Sequence, residues 1–282
     1  MSSTVNDINT ATKVSTPKEQ NTFTRIEDKF FIKAEYFNTF FSVINERLEP
    51  CYPDKNTKFT LIESSYFDSN GMDIYKNHFK KNQERFKLRT RRYGPDGTWA
   101  ADDLFLELKL KHHGISMKER LAVSTSDILA IQNGKGIELS DTLLQKNNKT
   151  KPKKIEKRLH RINRLISLFH LQPQCAVTYK RFAFENNGFR VTIDSKIQSE
   201  LLHQISPSTV VDIFGGESWS QALQMRNMFL QEEYYLVEVK HSGSIPQWCQ
   251  VLLGICGARK ASFSKYCFSI TNALSESKGK VK

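Results

Sequence analysis

The sequence predicts an α+β domain, on three observations. Several short segments alternate apolar and charged residues with the period of two expected of strands. Other segments repeat apolar residues at helical spacing. The two kinds are intermingled along the chain, which favours one domain over two. The 282 residues are 39% hydrophobic and include 19 Phe and 9 Tyr, enough for a sizeable, β-rich core.

Residues 1–22 are rich in Ser, Thr and Asn and read as a disordered tail. Order is expected from Phe23, where FTRIEDKFFIK forms a strand. EYFNTFFSVINERLE (35–49) has helical periodicity and stops at Pro50 and Pro53. FTLIESSYFD (59–68) reads as a strand, 72–81 as a short helix, and 84–93 as a basic strand ended by Gly94-Pro95-Asp96-Gly97. Strands 103–112 and 115–124 flank His113-Gly114 as a hairpin. The polar stretch 133–153 reads mostly as loop.

KKIEKRLHRINRLISLF (153–169) places Ile155, Leu159, Ile162, Ile166 and Phe169 on one helical face and its cations toward solvent. Strands 174–185 and 188–195 meet at the Asn186-Asn187-Gly188 turn. YYLVEVKH (234–241) is another strand. Ser244 and Pro246 then open a helix carrying Trp248, Leu252 and Ile255. A last strand is expected over 263–270. The domain thus spans 23–272, with 273–282 as a flexible tail.

Net charge is +12, which calls for a polyanionic partner. The charges are also patterned. Arg85, Lys87, Arg89 and Arg91 form one row at period two; Glu107, Lys109 and Lys111 form another. Lys118 with Arg120, Glu27 with Lys29, and Glu238 with Lys240 repeat the arrangement. Each row is one face of one strand, with apolar residues such as Leu88, Leu106, Leu108, Val237 and Val239 on the other. One such strand is ordinarily a solvated face with cross-strand salt bridges. Five or six of one bias would repel one another unless they enclosed an anion. Arg grips phosphate oxygens bidentately and Lys adds a point charge. An acid among such cations either pairs with them or holds Mg²⁺ or Mn²⁺ jointly with phosphate oxygens. These are the parts that phosphoryl transfer needs.

Five cysteines, odd in number and without a C-x-x-C pair, argue against a disulfide framework or structural zinc and for a reducing compartment. The start has no apolar signal-like run, and the apolar stretch near Cys249–Ala258 is too short to span a bilayer. A cytoplasmic location is expected. No Walker loop, nucleophile elbow or kinase motif set occurs, so phosphate binding must come from side chains. The basic rows carry almost no aromatic residues at their own parity, which makes nucleic acid an unlikely partner.

Nine ordered segments then carry a resemblance: EDKFFI (27–32), SSYFDSNGMDIY (64–75), LRTRRYG (88–94), FLELKLK (105–111), SMKERL (116–121), TYKRFAFE (178–185), FRVTIDSKI (189–197), LVEVKHSGSIPQW (236–248) and SFSKYC (262–267). Together they resemble the VTC-type polyphosphate polymerase domain, one of the triphosphate tunnel metalloenzymes related to CYTH proteins. The resemblance implies an antiparallel β-tunnel, a closed barrel of about eight strands, with helices outside and a basic lumen holding Mn²⁺ or Mg²⁺. It implies catalytic contacts from Arg89, Arg91, Lys109, Lys118, Arg181 and Arg190. Lys29, Lys265, Tyr179, Lys87, Lys240 and His78 would bind phosphate, His78 standing where eukaryotic relatives are expected to have arginine. Glu238, with Glu107 and Glu27, would supply metal ligands.

The implied reaction moves the γ-phosphate of ATP onto inorganic polyphosphate, with no protein nucleophile. A triphosphatase of the same fold, and a non-catalytic barrel binding polyphosphate or nucleic acid, are the alternatives. The SPX module and membrane segments of eukaryotic relatives do not occur in this sequence, so coupling synthesis to transport would require an unidentified membrane partner.

Overall fold

The computed structural model describes residues 25–52, 57–80, 84–99, 104–112, 115–215, 217–230 and 234–279. The expected tail 1–22, Phe23 and the hairpin tip His113-Gly114 lie outside them. The order is β1 (Arg25–Lys33), a 3-10 turn, α1 (Phe37–Arg47), β2 (Glu49–Pro50), β3 (Thr60–Asp68), α2 (Asp73–Phe79), β4 (Glu84–Pro95), β5 (Leu104–His112) and β6 (Ile115–Ala122). Then come α3 (Thr125–Gln132), α4 (Asp141–Lys146), α5 (Pro152–Phe169), β7 (Gln172–Asn186) and β8 (Phe189–Leu201). The chain continues through α6 (Pro207–Gly215), α7 (Glu217–Leu230), β9 (Tyr234–Ser242), α8 (Gln247–Ile255), β10 (Arg259–Lys260) and α9 (Lys265–Gly279).

Every strand pairing is antiparallel, in the order β10-β1-β9-β8-β7-β3-β4-β5-β6, with β2 added beside β7. The β7–β8 hairpin turns at Asn187 and Gly188, both at positive φ, as Asn-Gly turns do. Strands β1 and β5 stand six places apart, so a flat sheet would separate them by roughly 29 Å. Yet Lys109 Nζ on β5 lies 4.0 Å from Glu27 Oε2 on β1. The sheet is therefore rolled, with its charged face inward.

It is not closed by hydrogen bonds, which corrects the expected closed barrel. Edges β6 and β10 do not pair among the described residues. The reason is local. Strand β10 covers only Phe30 and Phe31 of β1, and the segment before α9 sits between the two walls. There Lys29 Nζ on β1 donates to Phe263 O (2.9 Å) and Lys87 Nζ on β4 to Ser264 Oγ (2.7 Å). Side chains bridge where a ladder would have closed.

The apolar parity faces outward and is covered by helices. Phe40 and Ile44 of α1, with Cys249, Leu252 and Leu253 of α8, pack on Ile32, Val191, Ile193, Val237 and Val239. Ile155, Leu159, Ile162 and Ile166 of α5 join a larger cluster with Leu88, Leu106, Leu108 and Leu121. Each fully buried aliphatic side chain contributes about 1.5–3 kcal/mol, so this outer packing lets the inner face be charged.

Two other expectations need correction. Residues 265–279 form α9 rather than a strand followed by a loose tail, and Tyr266, Ile270 and Leu274, four residues apart, are all buried. The supposed loop 133–153 contains α4, whose first turn is capped by Ser140 Oγ accepting from Leu143 N.

Candidate functional site

Strands β1, β3–β9 and the first residue of α9 present polar groups to the inner face, and two carboxylate-centred clusters organise it. On one wall Glu107 of β5 is only 2% exposed. It accepts from Arg89 Nε (3.0 Å) and Nη2 (2.7 Å) and from Arg120 Nη2 (2.5 Å), with Lys118 Nζ at 2.8 Å and Arg91 Nη1 at 3.9 Å. Alternation places Arg89, Glu107 and Arg120 on one face, and the register sets them side by side across β4, β5 and β6.

On the opposite wall Glu238 of β9 lies 3.4 Å from Arg181, 3.3 Å from Lys265, and 3.9 Å from both Lys29 and Lys240. Asp194 of β8, fully buried, accepts two bonds from Arg181 (2.6 and 2.7 Å) and meets Lys265 Nζ at 2.6 Å. Glu27 lies near Lys29 (3.4 Å) and Lys240 (3.5 Å). The walls meet where Arg91 Nη2 donates to Tyr179 Oη (2.6 Å) and Lys265 Nζ sits 4.6 Å from the Tyr179 ring centroid. Arg91 also donates to Ser64 Oγ, and Arg89 to Tyr66 Oη.

Burial alone would raise the Glu107 carboxyl, but Arg89, Arg91 and Lys118 hold it well below the ordinary carboxylate range. Glu238 behaves alike, with Lys265 and Arg181 overcoming its burial. Burial would lower the Lys265 ammonium, yet Asp194 and Glu238 raise it above its usual value. The Tyr66 phenol, whose burial acts upward, is drawn below its ordinary value by Arg89, Arg91 and Lys265. The surrounding cations thus hold Glu107 and Glu238 ionised, and Asp194 and Glu238 hold the Lys265 ammonium protonated, so the inner face is a network of full charges of both signs.

The lumen grades from wet to dry. Lys109 and Lys118 side chains are 56% and 51% exposed, whereas Arg91, Arg181, Lys265 and Tyr179 are largely buried. Phe31, Leu236, Phe263 and Phe268 form an apolar cluster beside the start of α9.

Among the described residues no three His, Cys, Asp or Glu side chains converge as a metal cage. The oxygen chemistry still fits a divalent cation shared with phosphate. Glu27 is near enough to Glu238 for their charges to interact, and Thr192, directly opposite Glu238 in the ladder, has a buried Oγ1 with no hydrogen-bond partner among the described residues. Mg²⁺ commonly uses one or two carboxylates and completes its shell with substrate phosphate and water. Glu107 lies on the other wall, surrounded by cations.

Of the remaining site residues named from sequence, Arg190 lies next to Lys240 in the ladder but pairs with Glu185 at 3.2 Å. His78 stands on α2, its ring edge-on to Phe79, and its imidazole is pushed down to about 3 by burial and by Lys87, Arg85 and Lys29. Sequence reasoning missed Asp194, Thr192, Ser64 and Tyr66. The first two continue the row begun by Arg190 at period two. The other two are uncharged, and only the fold shows that they receive Arg91 and Arg89. Arg120 was legible in its row but not named as a site residue.

A rolled antiparallel sheet with a cation-rich inner face, backed by helices, defines the α+β domain. The VTC domain family model matches residues 24–274, and the chain belongs to that family. No curated protein matches it. Among solved structures, a protein of Pyrococcus horikoshii OT3 shares 12% identity over 89% of this chain and 99% of its own, with TM-score 0.42. A Bacillus halodurans protein described as a "putative adenylate cyclase" shares 13% over 86% of this chain and 95% of its own, with TM-score 0.43. Among the described residues no helix is long and apolar enough to cross a membrane.

Proposed function

We propose that this VTC-domain protein is a metal-dependent polyphosphate polymerase that transfers the γ-phosphate of ATP to a growing inorganic polyphosphate chain. One observation carries the reading. Cations from opposite walls converge on one inner face and outnumber its carboxylates, so a polyphosphate ligand would complete the charge balance. Arg89, Arg91, Arg181 and Lys265 are the buried, pre-oriented donors and would hold the triphosphate. Lys109, Lys118, Lys29, Lys240 and Arg190, less buried, would guide the chain, with Tyr179 and Lys87 beside it. The terminal phosphate oxygen of the chain attacks the γ-phosphorus, the bond to the β-phosphate oxygen breaks, and ADP leaves with that oxygen. No protein nucleophile is required, and positioning with charge stabilisation supplies the catalysis.

Glu238 and Glu27, with the Thr192 hydroxyl, would hold Mn²⁺ or Mg²⁺ together with phosphate oxygens. Bound there, the ion would neutralise charge on the transferred group. Glu107 would set the guanidinium groups of Arg89 and Arg120.

The test is product analysis of purified protein supplied with ATP and Mn²⁺ or Mg²⁺. Long polyphosphate with matching ADP is expected. Free phosphate alone would make the protein a triphosphatase, and neither product across several divalent metals would overturn the catalytic reading. Glu238→Gln should raise the metal concentration needed for half-maximal activity; an unchanged requirement would contradict its role.

A further inference from the structure

We propose that the outer basic face of α5 is a second, external binding track for long polyphosphate, adjoining the inner site around β6, the last strand of the sheet. The proposal rests on the polymerase reading above and adds where the chain lies beyond the inner face.

Helix α5 buries Ile155, Leu159, Ile162 and Ile166 against the back of the sheet. Helical spacing then sets two basic rows on the rest of its surface. Lys154, Arg158 and Arg161 form the flank toward β6: Arg158 Nη1 donates to Arg120 O (3.2 Å) and Arg161 Nη1 to Glu119 Oε1 (2.5 Å). Lys153, Lys157 and Arg164 form the outward ridge. Lys153, Lys154, Lys157 and Arg164 are exposed and make no ion pair among the described residues.

Helix stability does not account for these charges. The first turn holds no acid, and cations there oppose the helix dipole. The residues whose backbone or outer side chain α5 grips, Arg120 and Glu119, belong to the strand whose inner face carries Lys118 and Arg120. Strand β6 ends the sheet: among the described residues no further strand pairs with it, and its outer edge is met only by side chains, Asn147 at the Ala122 backbone and Arg158 at Arg120 O. Cations therefore stand on both sides of one thin wall. A polyanion longer than the lumen can pass from Lys118 and Arg120 around that edge to Lys154 and Lys157, whereas a triphosphate cannot reach both. Charge complementarity and this adjacency to the inner cations select the same polyphosphate chain rather than a new ligand.

The experiment compares the full chain with a K153Q/K154Q/K157Q/R164Q variant, titrating each with tripolyphosphate and with long-chain polyphosphate over a range of salt. Glutamine is a good helix former and these positions are exposed, so the fold should persist, checked by circular dichroism. Long-chain affinity should fall about tenfold and its salt dependence should become shallower, because fewer counterions are released. Tripolyphosphate affinity should not change. Unchanged long-chain affinity, or an equal loss for both ligands, overturns the track. So does a single-stranded oligonucleotide that binds α5 as tightly as long-chain polyphosphate, since α5 would then be a nucleic-acid face. An Arg181→Ala arm separates the two proposals: tripolyphosphate binding that ignores Arg181 defeats the inner site, whatever α5 does.

Discussion

Replacing Glu107 by Gln should destabilise the empty protein and spare the protein bound to a polyanion. The substitution keeps the shape but removes the charge facing Arg89, Arg91, Lys118 and Arg120. Removing one partner of a buried ion pair costs about 3–5 kcal/mol. Here Lys118 and Arg120 are half or more than a third exposed, so water screens them, and the cost falls mainly on Arg89 and Arg91. We expect a loss of about 3 kcal/mol in urea unfolding, or a fall in Tm of about 6–10 °C. Tripolyphosphate at about a hundred times its dissociation constant returns about 2.7 kcal/mol by mass action. The variant should regain more than the wild type at equal ligand, because the phosphates replace the missing carboxylate. Unchanged stability without ligand, or a smaller gain in the variant than in the wild type, would refute the view that Glu107 stands opposite cations waiting for phosphate.

Lys109→Ala and Arg181→Ala should differ. Lys109 is half exposed with Glu27 at 4.0 Å, so its loss should cut turnover at least about tenfold with Tm changed by no more than about 2 °C. Arg181 holds buried Asp194 by two hydrogen bonds, so its loss should abolish turnover and also cost about 2–4 kcal/mol in urea unfolding, Lys265 remaining as partner. Equal stability of the two variants would count against the Asp194 cluster. His78 makes a pH prediction. Its folded value near 3 lies below the ordinary 6.5, so the unfolded chain binds the extra proton between them, and stability falls as pH drops below about 6.5. The slope from this group is at most about 1.4 kcal/mol per pH unit. His78→Gln should flatten the limb between pH 6.5 and 5, above the range where the carboxylates begin to protonate; an unchanged limb would show that His78 is not held neutral.

The inner face was legible because strand alternation is strict. Lys87, Arg89 and Arg91, like Glu107 and Lys109, can only share a face if their segments are strands. The curvature was not legible, since what brings Lys109 to Glu27 is the roll of six intervening spacings and no local pattern records it. Helix α9 was misread because Phe263–Ile270 is short and apolar enough for either state, and the helical period shows only when Leu274 is included. Asp194 escaped notice because one acid in a mostly apolar strand resembles a solvated turn residue. Its meaning comes from Arg181 directly opposite and from Lys265, which arrives from the far end of the chain.

The central claim is that this inner face holds a triphosphate, and a crystal structure of the full chain with tripolyphosphate and Mn²⁺ tests it most directly. The account predicts phosphate oxygens within hydrogen-bond distance of Arg89, Arg91, Arg181 and Lys265, with the ion beside Glu238. Phosphate bound only outside the rolled sheet, with those four side chains still paired to Glu107, Asp194 and Glu238 alone, would contradict it.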